Sequence, residues 1–122
     1  MILQDVNDKL VEIDPNVFYG MILENDIKER DLQLWNYIVF HRKSKTLNEQ
    51  KQSYGEHFIV TVVRENYLPE GLEESVIEKV CELHGVRMVG EGSYSYVQKP
   101  KTNVVVEMFS VEFVKAKKRV IA

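Results

Sequence analysis

Residues 57–63 read His-Phe-Ile-Val-Thr-Val-Val, a run of aromatic and β-branched side chains that is typical of a β-strand. Residues 34–42 read Leu-Trp-Asn-Tyr-Ile-Val-Phe-His-Arg and repeat the pattern upstream. Both segments carry apolar side chains on two faces, which is typical of strands covered on both sides, within the chain or by a neighbouring subunit. The two segments therefore predict an antiparallel pair of strands joined by a hairpin.

The segment between these strands, residues 43–56, is polar and has no hydrophobic period. We therefore predict a long hairpin loop there. It should be mobile in the free protein, because it has almost no apolar side chain with which to pack. Loops of this length are more often functional than idle connectors.

Two segments have the periodicity of amphipathic helices. The first helix is predicted over residues 1–13 and ends at Asp14-Pro15-Asn16. The second is predicted over residues 70–84, between Pro69 and Gly85, with glutamates in its first turn where the helix dipole favours negative charge. The predicted apolar faces consist of Leu3, Val6, Leu10 and Ile13 in the first helix, and of Leu72, Val76, Ile77, Val80 and Leu83 in the second.

Shorter extended segments complete the predicted fold, which is α+β in a single domain over residues 1–122. Its sheet is mostly antiparallel, with an N-terminal helix and a second helix packed on one face. The remaining segments are a short strand at 17–23, a loop at 24–33, short strands at 86–89 and 93–98 around Gly90-Glu91-Gly92, and a long strand at 103–115. That last strand would extend about 40 Å, so its end is expected to pack on something else.

Composition excludes several classes of protein. The chain has 122 residues, 44% hydrophobic and 29% charged, which suits a globular domain rather than a disordered tail. Its net charge of −3 is not that of a polycation. No apolar run approaches the roughly 20 residues of a membrane span, and the N-terminus does not read as a signal peptide. We therefore expect an intracellular protein with no membrane contact.

Residues capable of catalysis or metal binding form no recognisable pattern. Antiparallel pairing could bring His41 and His57 together, but no third ligand follows at a typical spacing. The single cysteine, Cys81, precedes His84 by three residues, yet its acidic neighbours disfavour a reactive thiolate. The glycines at 90 and 92 lack the Lys-Ser/Thr of a phosphate loop. We therefore expect no enzymatic activity, no cofactor and no metal.

Charge is distributed unevenly along the chain. Residues 65–91 contain seven glutamates against Lys79 and Arg87, whereas the basic C-terminal segment, residues 115–122, contains four basic residues and no acidic one. Such segregation suits head-to-tail contacts between copies of one chain. A solvated surface is the simpler interpretation, and nucleic-acid binding is the rival one. The candidate interface residues are Lys43, Lys45, Lys51, Lys117, Lys118 and Arg119.

Tyr94 and Tyr96 alternate with serines, so both tyrosines are predicted to project from one face of a strand. Such a pair could stack on nucleic-acid bases. Half-buried sheet packing or a subunit contact is the commoner use.

Several segments of the chain, in this order, resemble those of a known family. They are Val-Phe-Tyr-Gly-Met at 17–21, Trp-Asn-Tyr-Ile-Val-Phe at 35–40, the polar segment that follows, His-Phe-Ile-Val-Thr-Val-Val at 57–63, Tyr-Leu-Pro-Glu-Gly at 67–71 and Val-Glu-Met-Phe-Ser-Val-Glu-Phe at 106–113. In these segments, and in its N-terminal helix, the chain resembles the small tail-completion or tail-terminator proteins of long-tailed, siphovirus-type bacteriophages and prophages.

The resemblance implies a non-enzymatic virion protein that assembles as a ring, a hexamer, at the head-proximal end of the tail. There it would stop polymerisation of the tail tube and present a surface to the head connector. The implied partners are other copies of the chain, the tail tube protein and a connector or stopper protein, with no membrane, nucleic acid or cofactor. The implied location is the virion, and the host cytoplasm during assembly. The alternative is a small adaptor or nucleic-acid-associated binding domain without catalysis.

Overall fold

The computed structural model describes residues 2–20, 35–47, 53–99 and 101–118. Within these residues there are two helices and one five-stranded sheet of order β1-β2-β3-β5-β4, in which β1 and β2 are parallel and the other neighbours antiparallel. The predicted α+β class is therefore confirmed. The elements are α1 (Ile2–Val11), β1 (Val17–Tyr19), β2 (Tyr37–Leu47), β3 (Ser53–Glu65), α2 (Leu72–Cys81), β4 (Val86–Gln98) and β5 (Val105–Lys118).

The hydrophobic core lies between both helices and one face of the sheet. The rings of Phe58 on β3 and Phe113 on β5 stack there, with their centroids 5.5 Å apart. The predicted apolar faces of both helices are confirmed. The fully buried helical residues are Val6, Leu10, Val76 and Val80, and Leu3, Ile13, Leu72, Ile77 and Leu83 pack against them partly buried.

An ion pair fixes the segment after α1 to the central strand. Arg64 Nη2 on β3 donates to Asp14 Oδ2 at 2.5 Å, and both side chains are largely buried. The other oxygen of Asp14 accepts the backbone N–H of Asn16 at 2.8 Å. Because each charge is paired and hydrogen-bonded, the turn that leads into β1 is held against the sheet at a tolerable desolvation cost.

The hairpin between β2 and β3 corrects the predicted long loop over residues 43–56. Residues 43–47 and 53–56 are strand, with Lys45 opposite Glu56 and Thr46 opposite Gly55. The prediction was wrong there because backbone pairing of β2 with β3, and of residues 53–56 also with β5, holds these mostly polar residues in strands. Residues 48–52, which join the two strands, lie outside the described residues.

The other predicted boundaries also change. Residues 86–89 and 93–98 belong to one strand, β4, which is irregular between Val89 and Ser93. β5 continues to Lys118, so residues 115–118 of the predicted basic tail are paired strand. Helix α2 is shorter than the predicted 70–84, because Gly71 at φ 88° is left-handed and the helix ends at Cys81. Residues 21–34 and 119–122 lie outside the described residues, so the predicted loop at 24–33 stays a prediction.

Gly92 is required by the packing of the sheet beneath it. A Cβ at this position would collide with Cζ and Cε1 of Phe109, whose ring belongs to the hydrophobic core. Phe109 is directly opposite Tyr94, and the two ring centroids are 5.0 Å apart. The irregularity in β4 thus lets the strand pass closely over an aromatic ring of its neighbour.

We expect Gly92→Ala to lower the free energy of unfolding by about 1–3 kcal/mol, because the added methyl group forces the Phe109 ring to move within a packed core. Ser95→Ala on the same strand is a matched control, since Ser95 is exposed. Urea unfolding of the two variants and the wild type measures the difference. Equal stability of Gly92→Ala and Ser95→Ala would show that the ring is not confined by β4.

Candidate functional site

Three strands run together to one end of the sheet and bring basic residues from distant parts of the chain into one place. Lys45, Glu56 and Lys115 are neighbours across β2, β3 and β5. We call this region, residues 42–47, 53–57 and 114–118, the basic end. It contains one acidic residue, Glu56, and six basic residues: Arg42, Lys43, Lys45, Lys115, Lys117 and Lys118.

Four of the six predicted interface residues therefore lie together at the basic end. Lys43 and Lys45 lie on β2, in the hairpin. Lys117 and Lys118 are the last residues of β5, where they pair in register with Tyr54 and Ser53 of β3. The other two predicted residues, at positions 51 and 119, lie outside the described residues. The hairpin and the C-terminal segment are far apart in the sequence, and no sequence pattern predicted that they would lie side by side.

A side-chain cluster joins the three strands on the sheet face opposite the helices. Lys43 Nζ donates to Glu112 Oε1 at 2.6 Å, and His57 Nδ1 is 2.8 Å from Glu112 Oε2. These hydrogen bonds, that of Lys43 first, lower the pKa of Glu112 below its ordinary value. On the other side of the imidazole, His57 Nε2 lies 3.3 Å from Thr46 Oγ1. The charge of Lys43 is thus partly used within the chain.

A cavity of about 220 Å³ opens beside the bulge in β2 between Arg42 and Ser44. Eight residues line it, two of them apolar, Leu3 and Phe58, and most of the lining surface is apolar. The polar lining residues are Arg42, Lys43, Ser44, Lys45, Glu56 and His57. A concave surface with this excess of cations is suited to an acidic side chain or another small anionic group of a partner.

We expect Glu112→Gln to reduce stability in a pH-dependent manner. Because the folded-state pKa of Glu112 lies below its ordinary value of 4.5, the ionised carboxylate stabilises the fold above about pH 4.5. That contribution is lost as the pH falls through the folded-state pKa. Urea unfolding should therefore show a lower midpoint for the variant at neutral pH and a shrinking difference from wild type in acid.

Ser110→Ala is the matched control for Glu112→Gln. Ser110 lies two residues away on the same strand face and shares a hydrogen bond of 2.9 Å with Thr61, but neither hydroxyl titrates in this range. Its effect on the unfolding midpoint should be the same at neutral and acid pH. A difference between Glu112→Gln and wild type that stayed constant across the same range would contradict the ionic origin of the effect.

The histidines and the cysteine do not converge. His41 is opposite Ile59 and His57 is opposite Ser44, so the two imidazoles are not cross-strand partners. Cys81 is exposed and is the last residue of α2, so His84 lies beyond the helix. Among the described residues, no group of three or more His, Cys, Asp and Glu side chains could hold a metal ion. In the same part of the chain, no helix is both long and apolar enough to span a membrane.

A second polar surface lies at the opposite end of β4 and β5, where tyrosine hydroxyls are fixed by carboxylates. Tyr94 donates to Glu73 Oε2 on α2, and Tyr96 donates to Glu107 Oε2 at 2.7 Å. The hydrogen bond to Glu73 is the main cause that raises the pKa of Tyr94 to about 12, so this hydroxyl stays protonated. We call Tyr67, Tyr94, Tyr96, Glu73, Glu74 and Glu107 the tyrosine–glutamate patch.

The partners of the two tyrosines were missed by sequence reasoning. The alternation of Tyr94 and Tyr96 with serines is visible in the sequence, but Glu73 is 21 residues earlier and Glu107 is 11 residues later. Glu107 is directly opposite Tyr96 in the β4–β5 register, which the irregularity at residues 90–92 sets. The paired glycines of Gly90-Glu91-Gly92 were the one signal for that irregularity.

Comparison with known proteins gives one kind of match. No protein-family model and no curated protein sequence matches the chain. Among solved structures, the chain is similar to a protein from the "Virion of native gene transfer agent (GTA) particle". The alignment covers 97% of this chain and 92% of the other, with 9% sequence identity and a TM-score of 0.43.

Proposed function

We propose that this chain is a structural, non-enzymatic component of a bacteriophage or prophage virion that acts through protein–protein contacts. The observation that carries the proposal is the strand register that gathers Lys43, Lys45, Lys117 and Lys118 at the basic end. Six basic residues stand against Glu56 and the adjoining Glu112, which pairs with Lys43, and the remaining excess of positive charge attracts an acidic partner surface and favours one orientation of it. Among the residues described at this end, no nucleophile, base and metal ligands converge as catalysis would need.

The station that we propose is a ring-forming tail terminator or tail-completion protein at the head-proximal end of the tail, a hexamer in contact with the tail tube protein and the head connector or stopper. The resemblance of the sequence segments at 17–21, 35–40 and 57–63 supports this. A closed ring also requires two different, complementary surfaces on each copy. The basic end and the acidic stretch at 65–91 belong to one chain and meet this requirement. The protein would act in the virion after assembly in the host cytoplasm.

A nucleic-acid-associated binding domain is the second candidate, because the same basic end could neutralise phosphates. Neutralisation of about four phosphates would give a log–log slope of affinity against salt near −4, whatever protein partner is present. The salt dependence of a contact between two protein surfaces instead varies with the protein partner, and such a contact requires a partner surface of opposite charge. Salt titration of DNA binding therefore separates this candidate from the proposed function.

We expect the triple substitution of Lys117, Lys118 and Arg119 by Glu to impair assembly while the monomer stays folded. Like charges that face each other across an interface cost several kcal/mol in favourable cases, whereas exposed charges add little to monomer stability. Light scattering coupled to size-exclusion chromatography, with and without tail tube protein, measures assembly, and thermal unfolding measures folding. The control replaces Lys9, Lys79 and Lys101 by Glu, which changes the net charge equally away from the basic end. Because Lys9 pairs with Glu82 at 2.9 Å and Lys79 with Glu12 at 3.5 Å, thermal unfolding also has to show that this control is folded.

Two outcomes would contradict the proposed function. One is normal assembly of the triple variant together with absent DNA binding by the wild type, which would leave the basic end without a role. The other is a wild-type monomer that ignores tail tube protein and binds DNA at physiological salt with the slope given above, which would favour the second candidate. Loss of assembly in both the triple variant and its control would indicate that assembly depends on the net charge of the protein rather than on the basic end.

A further inference from the structure

The tyrosine–glutamate patch and the basic end are separated along the same strand. Glu107 and Lys117 are ten residues apart on β5, a distance of about 33 Å at the usual rise of a strand. The two surfaces therefore cannot contact each other within one copy. Any interaction between them has to join two molecules.

The patch has the chemistry of a protein contact site. The exposed fractions of Tyr67, Tyr94 and Tyr96 are 71%, 50% and 59%. Two of the three rings are held in place, since their hydroxyls donate to Glu73 and Glu107. Tyrosines are enriched in the energetic centres of interfaces, and a ring already fixed in orientation loses little conformational entropy on binding.

Two carboxylates of the patch, Glu73 and Glu107, are also fixed by hydrogen bonds, and these bonds leave their negative charges in place. Glu107 accepts the Tyr96 hydroxyl with one oxygen and the backbone N–H of Leu68 with the other, at 2.8 Å. The negative charges of Glu73, Glu107 and Glu74 all act on Tyr94, which places them within electrostatic reach of one ring. A nearby cation, Lys99, is paired with Glu65 at 2.7 Å. The patch therefore presents aromatic rings rimmed by negative charge.

Such a surface is matched to lysine and arginine side chains. An ammonium or guanidinium group can lie over a tyrosine ring while it pairs with an adjacent carboxylate, and the two attractions reinforce each other. Two patches facing each other would bring like charges together, so a symmetric contact through the patch is disfavoured. The complementary surface present on this chain is the basic end.

We infer that the tyrosine–glutamate patch is the docking site for the basic end of a second copy of this chain. The inference rests on the proposed function and specifies the self-contact within it. Each copy would offer its basic end to one neighbour and its patch to another, which is a head-to-tail contact that closes into a ring or continues as a filament according to its rotation.

The test uses two full-length variants that each lose one surface. The patch variant carries Tyr67→Ser, Glu74→Lys and Tyr96→Ser, and keeps the Tyr94–Glu73 hydrogen bond and the acceptor of the Leu68 N–H. The basic-end variant carries Lys117→Glu, Lys118→Glu and Arg119→Glu. The control for the patch variant is Val11→Ser with Asp5→Lys, two exposed positions on α1. Sedimentation velocity measures association of each protein alone, of the two variants mixed in equal amounts, and of the wild type and the patch variant with tail tube protein.

We expect the wild type and the control to associate, and each variant alone to associate at least about tenfold more weakly, as the loss of aromatic and charged anchors implies. The equimolar mixture should form 1:1 heterodimers and nothing larger, because each dimer has only one intact patch docked on one intact basic end.

Four results would overturn the inference. If the patch variant associates like the wild type, the inference is overturned and the proposed function still stands. A wild type that associates, with variants that do not recombine as heterodimers, would show that the basic end is not the occupant. A wild type that stays monomeric and binds tail tube protein through the patch would assign the patch to that partner. A wild type that binds neither would overturn the proposed function as well.

Discussion

β3 is hydrogen-bonded to β5 from Ser53 to Glu65 and to β2 from Tyr54 to Val63. Because neighbouring residues on a strand face opposite sides of the sheet, this double pairing commits Phe58, Val60 and Val62 to the helix-covered core. A slip of one residue would exchange the two faces and expose the core set to solvent. The positions of α1, α2 and the flanking strands all follow from this one register.

The same register determines the chemistry of the surface. Since β2, β3 and β5 remain paired beyond the apolar part of their sequences, the polar ends of three strands are brought together as the basic end. β5 also carries Glu107 toward its other end, beside Tyr96. The carboxylate of Glu107 in the patch and the lysines of the basic end are thereby held far apart on the same strand. This separation is what makes a contact between copies possible and a contact within one copy impossible.

Two irregularities adjust these surfaces locally. In β2, the bulge between Arg42 and Ser44 borders the cavity at the basic end and sets Lys43 within reach of Glu112. In β4, the irregularity between Val89 and Ser93 places the strand over Phe109 and aligns Tyr96 with Glu107. Bulges re-aim side chains without interrupting a sheet. Each proposed contact surface of this protein lies next to one of them.

The sequence by itself determined the features that depend on local pattern. The four-residue spacing of Val6 and Leu10, and of Val76 and Val80, specified the buried helix faces. The β-branched run at 57–63 specified the central strand, because amphipathic periodicity is a property of neighbouring residues. The α+β class and the segregation of charge followed in the same way. The two alternating tyrosines were also visible, although nothing local identified their partners.

Only the tertiary structure decided where the strands end and which surfaces they assemble. The mostly polar residues at 43–47 and 53–56 show no hydrophobic alternation, and their conformation comes from backbone pairing of β2 with β3 and of residues 53–56 with β5, which is distant in sequence. The meeting of Lys45 with Lys115 around Glu56, and of Tyr94 with Glu73, likewise depends on long-range register and on bulges that no periodicity encodes. Pairing across the sheet is a cooperative property of the whole fold, so these contacts exist only once the core has fixed it.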